Sequence, residues 1–214
     1  MKLNAIIDKN DYCIVCFKKI RRMSISFFLN NDLDMCLNCF RKMNPKLKRI
    51  SLNNIRGIAL FPYDGYVKNL LFQYKGCKDI ALKNVFFEFY AFVFKIIYRN
   101  YFIVPVPSTK QSDKNRGFNH VEQMCKILNL PLIKCLKKKG DFKQSSLNYI
   151  QRLVNKDNFY FDGDKSSIYN KKILIVDDVI TSSTTMRACI KLIEECHPKK
   201  ISFLVMAYSC RKMS

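Results

Sequence analysis

No hydrophobic run in this sequence of 214 residues is long enough to cross a lipid bilayer. The most apolar stretch, residues 84–98, carries Glu88 and Lys95, and it is shorter than the roughly 20 apolar residues that a membrane-spanning helix needs. The opening residues, MKLNAIIDKNDYC, show neither the apolar core nor the small-residue cleavage site of a signal peptide. We therefore expect a cytoplasmic protein without a transmembrane segment, in which residues 84–98 form a buried helix or, as the alternative, a docking surface.

Acidic residues are scarce: Asp and Glu number 17 against 38 Lys and Arg, so the formal net charge is +21. A charge of this size predicts attraction to polyanions such as nucleic acid, acidic membrane surfaces or phosphorylated ligands, without choosing among them. Hydrophobic residues still make up 49% and aromatic residues 13% of the chain, which excludes a wholly disordered protein.

Histidine is nearly absent, since His120 and His197 are the only two in the sequence. His197 precedes Pro198 at the end of a predicted helix, where a positive charge suits the helix dipole. We expect a structural role for both histidines, so catalysis by histidine is disfavoured.

Cysteine, in contrast, is abundant, with ten in the chain. Without an export signal, metal binding or free thiols are favoured over a disulfide framework. Cys13 and Cys16 form one C-x-x-C pair and Cys36 and Cys39 a second, with 19 residues between the pairs, which is the spacing of a structural Zn²⁺ site. Four thiolates leave no open position for catalysis on the metal; the alternatives are chance pairs or a redox dithiol. The other cysteines are expected in the core: positions 77, 125, 135, 189, 196 and 210.

The pattern of apolar runs predicts an α/β fold, with a small zinc ribbon at residues 1–50 and a larger domain at 51–214. Strand and helix alternate most clearly near the carboxyl end, which indicates a mainly parallel sheet flanked by helices. The expected strands are 57–62, 101–106, 172–176 and 201–207. The expected helices are 67–73, 79–99, 119–129 and 185–196, with a mobile loop at 108–117 and a second loop at 177–184.

A candidate ligand site lies where the apolar residues ILIV run into Asp177 and Asp178. The turn that follows leads into a helix, whose first backbone N–H groups and dipole favour a phosphate. The carboxylates can accept hydrogen bonds from ribose hydroxyls or hold a ligand through a metal-bound water. The arrangement predicts a sugar-phosphate site; the alternative is an ordinary turn with a Ser/Thr N-cap. The turn offers the hydroxyls of Thr181, Ser182, Ser183, Thr184 and Thr185.

The segment ILIVDDVITSSTTM resembles the phosphoribosyl pyrophosphate (PRPP) motif of type I phosphoribosyltransferases. With the two C-x-x-C pairs and the RGFN sequence at 116–119, the chain resembles the ComF/ComFC family over nearly its whole length. Further matches lie at 63–68, 74–76, 104–107, Gln144, Leu147, Arg152, Asn155 and Phe159. The resemblance implies a zinc ribbon joined to a phosphoribosyltransferase-like domain that serves DNA uptake in natural transformation.

The resemblance also assigns residues to the PRPP site. Lys75 and Gly76 would belong to the loop that binds the pyrophosphate, and Arg116 to a flexible loop, 108–117, that closes over PRPP and its Mg²⁺. Ser183 stands where the family usually has glycine, and because serine resists positive φ it predicts an altered or weaker phosphate cradle. Two usual arginines of the flexible loop are replaced by a serine and a lysine, and lysine cannot make the bidentate fork of arginine.

Two basic runs favour nucleic acid as a partner, with a plainly solvated surface as an equal alternative. They comprise Lys18, Lys19, Arg21 and Arg22 in the first, and Lys134, Lys137, Lys138, Lys139 and Lys143 in the second. The leading hypothesis is a PRPP-binding competence protein that acts with single-stranded DNA and a helicase-like partner. The alternatives are an active phosphoribosyltransferase of nucleotide metabolism, whose acceptor nothing in the sequence identifies, and a nucleic-acid-binding module with a relic PRPP site.

Overall fold

The computed structural model of the protein describes residues 12–20, 33–138 and 159–209. Its strands are β1 (Lys48–Leu52), β2 (Ile55–Pro62), β3 (Tyr101–Pro105), β4 (Leu136–Lys138), β5 (Phe159–Phe161), β6 (Lys172–Ile180) and β7 (Lys200–Tyr208). Its α-helices are α1 (Leu37–Lys42), α2 (Gly65–Lys75), α3 (Ala91–Ile97), α4 (Lys110–Arg116), α5 (His120–Cys125) and α6 (Thr184–Glu194). Short 3₁₀ turns cover Ile80–Lys83, Glu88–Tyr90, Lys126–Leu128 and Lys165–Ser167. None of the helices in these ranges has the length and apolarity that a membrane span requires.

A five-stranded sheet in the order β1-β2-β7-β6-β3 forms the centre of the fold. β1 and β2 make an antiparallel hairpin through Asn53 and Asn54, whose φ angles of 48° and 66° suit a type I′ turn. The pairs β2–β7, β7–β6 and β6–β3 are all parallel. The predicted α/β fold with a mainly parallel sheet is therefore confirmed. β4 and β5 pair separately as a two-stranded ribbon.

Helices cover both faces of the sheet because its central strands bury both of their faces. On β6, Leu174 and Val176 belong to one hydrophobic cluster and Ile173 and Ile175 to a second, as the alternation of side chains along a strand requires. The first cluster includes the buried sides of α2, α3 and α5, and the second that of α6. The first also contains four N-terminal residues, Cys13, Met35, Cys39 and Met43. The cysteine-bearing segment thus shares the core of the sheet, and the boundary near residue 50 stays a prediction.

The predicted helix over 79–99 is wrong in its length. Residues Val85 to Glu88 are four consecutive buried residues, and a regular α-helix on a flat core would turn at least one of them to solvent. The segment instead forms two 3₁₀ turns before α3 begins at Ala91. The α3 helix buries Ala91 and Phe94 but is not a wholly buried helix, because it exposes Phe92, Val93, Ile96 and Ile97.

The predicted loop at 108–117 is also wrong, since most of it forms the helix α4. Thr109 caps the amino end by accepting a hydrogen bond from the backbone N–H of Ser112 at 3.2 Å. Gly117 ends the helix at φ 87°, with its N–H donated to the carbonyl of Asp113 at 2.7 Å. These two end signals stabilise a polar helix that has no apolar stripe.

The predicted loop at 177–184 is wrong at its start, because β6 continues to Ile180. Strand β7 offers it a backbone partner along its whole length, with Asp177 opposite Val205 and Ile180 opposite Tyr208. The sheet therefore holds Asp177 and Asp178 inside the strand, where both are buried.

Most of the remaining cysteines behave as predicted. Cys125, Cys135, Cys189 and Cys196 are buried free thiols. Cys77 is exposed, so its placement in the core was wrong; it follows α2 at the surface. Cys210 lies outside the described residues.

Candidate functional site

Asp178 is the centre of a buried polar cluster at the carboxyl end of β6. Its Oδ2 atom forms an ion pair with Nζ of Lys75, the last residue of α2. The same oxygen lies 3.1 Å from Nε2 of His120, the first residue of α5. Two helices of one face therefore deliver a cation and a hydrogen-bond donor to a carboxylate that is only 6% exposed.

The tautomer of His120 follows from its two neighbours. Nη1 of Arg116 lies 3.0 Å from Nδ1 of His120, and because a guanidinium can only donate, Nδ1 must accept. The proton of the neutral ring is then on Nε2, where it is donated to Asp178. Burial first, and then the charges of Lys75 and Arg116, lower the pKa of His120 to about 2, so the ring is neutral at physiological pH.

Arg116 closes this cluster into a ring of contacts. Its Nε donates to the backbone carbonyl of Lys75 at 3.3 Å, and its Nη1 also donates to Oδ1 of Asp113 at 3.2 Å. A closed ring of contacts thus connects the ends of α2, α4 and α5 to β6. Its members are Lys75, Asp178, His120 and Arg116. Three of its members were predicted site residues. His120 was not, and no helical spacing could have revealed it, because the left-handed Gly117 ends α4 between Arg116 and His120.

Asp177 lies on the other side of β6, because neighbouring side chains of a strand point to opposite faces. Its Oδ1 accepts a hydrogen bond from the backbone N–H of Asp178 at 2.9 Å. Burial raises the pKa of Asp177 to about 7, against the lowering effect of the Lys75 and Lys138 charges. The two carboxylates therefore differ: Asp178 is held as a paired anion, and Asp177 is close to neutrality at physiological pH.

The turn after β6 carries the hydroxyl groups predicted to hold a phosphate. Ser183 adopts φ 56° and ψ −2°, the left-handed conformation, immediately before α6 begins at Thr184. Serine therefore takes up the backbone geometry that glycine would adopt freely, at a cost of about 1–2 kcal/mol. Thr181, Ser182 and Thr184 are exposed, and Ser183 and Thr185 are half-buried.

Arg187, which was not among the predicted site residues, stabilises this turn. Its Nε donates to Oγ of Ser183 at 3.3 Å. Its Nη1 donates to Oδ1 of Asn53 in the β1–β2 turn. The spacing from Ser183 to Arg187 is one helical turn, which is the signal that could have revealed the pair.

Gly76 follows the end of α2 and has an ordinary helical φ of −82°. A Cβ atom at this position would lie 2.9 Å from the carbonyl oxygen of Phe72, so the glycine is required by close packing and not by a left-handed backbone. Lys75, just before it, is largely desolvated: burial lowers the pKa of Lys75 to about 8, Asp177 acts in the opposite direction, and Arg116 adds to the lowering.

The predicted metal ligands Cys13, Cys16, Cys36 and Cys39 converge, with all four Sγ atoms within 4.8 Å of one another. The Sγ atoms of Cys13 and Cys39 are 3.8 Å apart, as are those of Cys16 and Cys36. A tetrahedron with Zn–S bonds of about 2.3 Å has edges of about 3.8 Å, so this donor set fits a zinc ion. Four free cysteines so arranged could hold one.

The basic runs are only partly described. In the second run, Lys134 pairs with Glu122, and Lys137 lies 3.2 Å from Oδ2 of Asp162. Lys138 lies 5.6 Å from the ring centroid of Phe159. Several predicted residues fall outside the described ranges: Arg21, Arg22, Lys139, Lys143, Gln144, Leu147, Arg152 and Asn155.

Comparison with known proteins agrees with this geometry. The sequence profile described as "Phosphoribosyl transferase domain" matches residues 114–213, which include His120, Asp178 and the turn at Ser183. The protein is therefore phosphoribosyltransferase-like. Competence protein ComFC of Streptococcus pneumoniae (strain ATCC BAA-255 / R6) is 30% identical, with 88% of this chain and 96% of that protein covered. Competence protein ComFC of Bacillus subtilis (strain 168) is 25% identical over 60% of this chain and 53% of that protein. The chain belongs to the ComF/ComFC family, which confirms the resemblance.

Solved structures were also matched. A hypoxanthine-guanine phosphoribosyltransferase from Bacillus anthracis has a TM-score of 0.39 at 12% identity, covering 64% of this chain and 74% of that chain. A purine phosphoribosyltransferase from Pyrococcus horikoshii has a TM-score of 0.36 at 15% identity, covering 61% and 83%. At scores of this size the family assignment rests on the sequence matches.

Proposed function

We propose that the protein binds PRPP together with Mg²⁺ and acts in DNA uptake during natural transformation, in the cytoplasm and on single-stranded DNA. The main support for a PRPP site is that two features, a pair of aspartates and a turn predicted to bind phosphate, lie close together in the sequence and in the fold. The buried carboxylates of Asp177 and Asp178 lie near the carboxyl end of β6, and the left-handed Ser183 follows at the amino end of α6. The role in DNA uptake is supported by the relatives that are named competence proteins.

In this proposal the first turn of α6 receives the 5′-phosphate of the ligand. The backbone N–H groups at a helix amino end have no partner within the helix, and the dipole favours an anion there. The hydroxyls of Ser182 and Thr184, 3.2 Å apart, add donors at the same end. The carboxylate oxygens of Asp177 and Asp178 suit ribose hydroxyls or hydrated Mg²⁺.

Binding of the ribose must then compete with the existing partners of Asp178. The Lys75 ammonium group already neutralises this carboxylate, and His120 already donates to it. We propose that Lys75 leaves Asp178 when PRPP binds and moves to the pyrophosphate, which carries more negative charge. Arg116 would keep the end of α2 in place through the carbonyl of Lys75.

Calorimetric titration of PRPP with Mg²⁺ into zinc-loaded protein tests the site. Binding is expected to be saturable and to be lost in an Asp177→Asn/Asp178→Asn double variant. A Glu194→Gln variant, altered at an exposed acid at the far end of α6, is the matched control and should bind normally. Equal binding by the double variant and the control would contradict the proposal.

The DNA function is tested separately. Deletion of the gene from a naturally competent strain should reduce transformation, and the wild-type gene should restore it; undiminished transformation would contradict the proposed role. A module with a relic PRPP site predicts that Asp177→Ala leaves the affinity for single-stranded DNA unchanged. A helicase-like partner of DNA transport remains part of the proposal and would be sought by co-purification from competent cells.

Phosphoribosyl transfer is the second candidate function, and the environment of Asp177 favours it. A buried carboxylate with a pKa of about 7 is able to accept a proton from an acceptor molecule near neutral pH. The test is release of pyrophosphate from PRPP across a panel of bases and amines. Release that depends on an acceptor and is lost in Asp177→Asn would establish an enzyme, and no release with any acceptor would contradict it.

We also propose that the ion held by the four cysteines is a structural zinc. The four ligands leave no position for a substrate, and Cys13 and Cys39 are buried in the first hydrophobic cluster. The metal would therefore stabilise the packing of residues 33–43 against the sheet.

A further inference from the structure

A second pocket lies at the opposite end of the sheet from Asp178. Its volume is about 500 Å³, and it is formed by the first residues of β2, β3 and β7, by β1 and by the end of α3. Volumes of this size are typical of small-ligand sites, which range over about 300–1,000 Å³. Lys172 begins β6 and Asp178 lies near its other end, and a separation of six positions along the strand places them about 20 Å apart. The pocket is therefore distinct from the sugar-phosphate site.

Its rim is basic. Arg49, Arg56 and Lys200 line the pocket, and all three are exposed. None of them forms an ion pair with a carboxylate of the described residues, and no described acidic residue lines the pocket. Lys172 stands next to Lys200 in the β6–β7 ladder. Four cations that have no compensating carboxylate among the described residues give this end of the sheet a field that favours an anion.

Its floor is apolar and aromatic. Tyr98 and Tyr101 line it with their rings at 85° and their centroids 5.2 Å apart. Both are nearly buried, at 5% and 8% exposed, so their rings are fixed before any ligand arrives. Ile58 and Ile97 complete the wall. A fixed wall of this kind suits the flat face of a ring and not a bare inorganic ion.

Ser202 adds a polar group inside the pocket. The residue is only 9% exposed and lines the cavity. Among the described residues its hydroxyl forms no hydrogen bond, and it is not a fully buried unpartnered atom, so it is open to a ligand in the pocket. On β7 it shares a face with Leu204 and Met206 of the first cluster, so a hydroxyl replaces an apolar side chain at this one position. The Ser202 hydroxyl, next to the tyrosine rings, is therefore available to donate to or accept from the edge of a base.

We propose that this pocket binds a nucleotide unit, with its phosphate on Arg49, Arg56 and Lys200 and its base against the tyrosine wall and Ser202. The same chemistry is offered by a free nucleoside monophosphate and by one residue of a single-stranded nucleic acid. The pocket does not depend on the PRPP site, because none of its residues touches Asp177, Asp178 or the turn at Ser183.

The test uses the full chain loaded with zinc and three probes: thymidine 5′-monophosphate, inorganic phosphate and a fluorescent 20-residue oligothymidylate. The variant is Arg49→Glu/Arg56→Glu. The matched control is Lys165→Glu/Lys191→Glu, which makes the same change of charge at exposed lysines of other elements. At least one nucleotide probe is expected to bind tenfold or more weakly to the variant than to the control. Binding of the monophosphate identifies a free nucleotide as the ligand, and binding of the oligonucleotide alone identifies a nucleic-acid strand.

Ser202→Ala keeps the proposal testable if the charge reversals disturb folding. It removes one hydroxyl and is expected to reduce the affinity for the nucleotide probe three- to tenfold, with no change in the unfolding temperature. Asp177→Asn/Asp178→Asn should bind the nucleotide probe as the wild type does, which separates this site from the PRPP site. Equal binding by the arginine variant and the control would overturn the proposal, as would inorganic phosphate competing as well as the nucleotide.

Discussion

His120 donates its Nε2–H to Oδ2 of Asp178 over 3.1 Å, and the two residues are 58 positions apart in the sequence. Around this bond the ends of three helices meet the central strand. The contact makes a neutral histidine part of the scaffold for a carboxylate that the proposed PRPP site needs. It also couples the stability of the fold to the geometry of the site.

Replacing His120 should therefore destabilise the protein. In His120→Ala, Asp178 loses one donor but keeps Lys75, and Arg116 loses one acceptor but keeps Asp113; each lost hydrogen bond to a charged group costs about 1.5–3 kcal/mol. His120→Gln should cost less, because its amide can still donate. Urea unfolding measures the difference. His197→Asn is the control, since His197 is exposed with φ 51° and asparagine tolerates this conformation; a midpoint for His120→Ala equal to that of the control would contradict the scaffold role.

The stability should depend on pH through three buried groups. The pKa of Asp177 is raised from 3.8 to about 7, and burial raises the pKa of Glu88 from 4.5 to about 8, so the contributions of both are present at low pH and are lost as the pH rises. The pKa of His120 is lowered from 6.5 to about 2, so its contribution is present above pH 6.5 and is lost as the pH falls. Between pH 5.5 and 6.5 the slope of stability from His120 opposes the slopes from Asp177 and Glu88, each tending towards about 1.4 kcal/mol per pH unit.

Two variants separate these slopes. Asp177→Asn should make the stability nearly independent of pH over this window, because the His120 and Glu88 contributions remain and oppose each other. His120→Gln should make the protein steeply less stable as the pH rises, because only the Asp177 and Glu88 contributions remain. Urea unfolding at pH 5.5 and 6.5 measures both. Parallel pH profiles for the two variants would show that neither group carries the assigned shift.

The sequence was sufficient to predict what depends on local pattern. The apolar run before Asp177 predicted a buried strand, and the spacing of the four cysteines predicted their convergence. Thr109 and Gly117 are recognisable helix-end signals, yet α4 was missed because it has no apolar stripe. The extension of β6 to Ile180 could not be predicted from its own residues, since aspartate is disfavoured in strands and the partner β7 decides the outcome.

Contacts of the helices with the sheet and its turns could not be predicted. The pairing of His120 with Asp178 and of Arg187 with Asn53 depends on how helices lie on the sheet, and spacing carries no information about this. The four consecutive buried residues from Val85 are a similar case. The apolar character of the first three fitted a helix, but only the surrounding core requires all four, Glu88 included, to be inside.

Ser183 should tolerate glycine better than a β-branched residue. At φ 56°, Ser183→Gly relieves the left-handed strain but loses the Oγ contact with Arg187 and adds freedom to the unfolded chain, so we expect a change within about 0.5 kcal/mol. Ser183→Val should lose about 1–2 kcal/mol, because branching at Cβ is unfavourable there. Thr184→Val, one residue later inside the helix, is the control and should change little. Urea unfolding of the three variants measures these changes in the free energy of unfolding. A similar loss of stability in Ser183→Val and Thr184→Val would contradict the strained geometry.

Loss of the metal site should weaken the whole protein and not only its N-terminal segment. Cys13, Cys39 and Met43 share one core with Leu60 and Phe61 of the sheet, so release of zinc would expose apolar surface on both. Cys36→Ser should reduce the bound zinc from one ion per chain to none, and it should lower the unfolding temperature, as a chelator should for the wild type. Cys77→Ser, at an exposed thiol, is the control and should keep both properties. A colorimetric zinc assay with thermal unfolding measures them together, and a Cys36→Ser protein that retains a full ion would rule out the four-cysteine site.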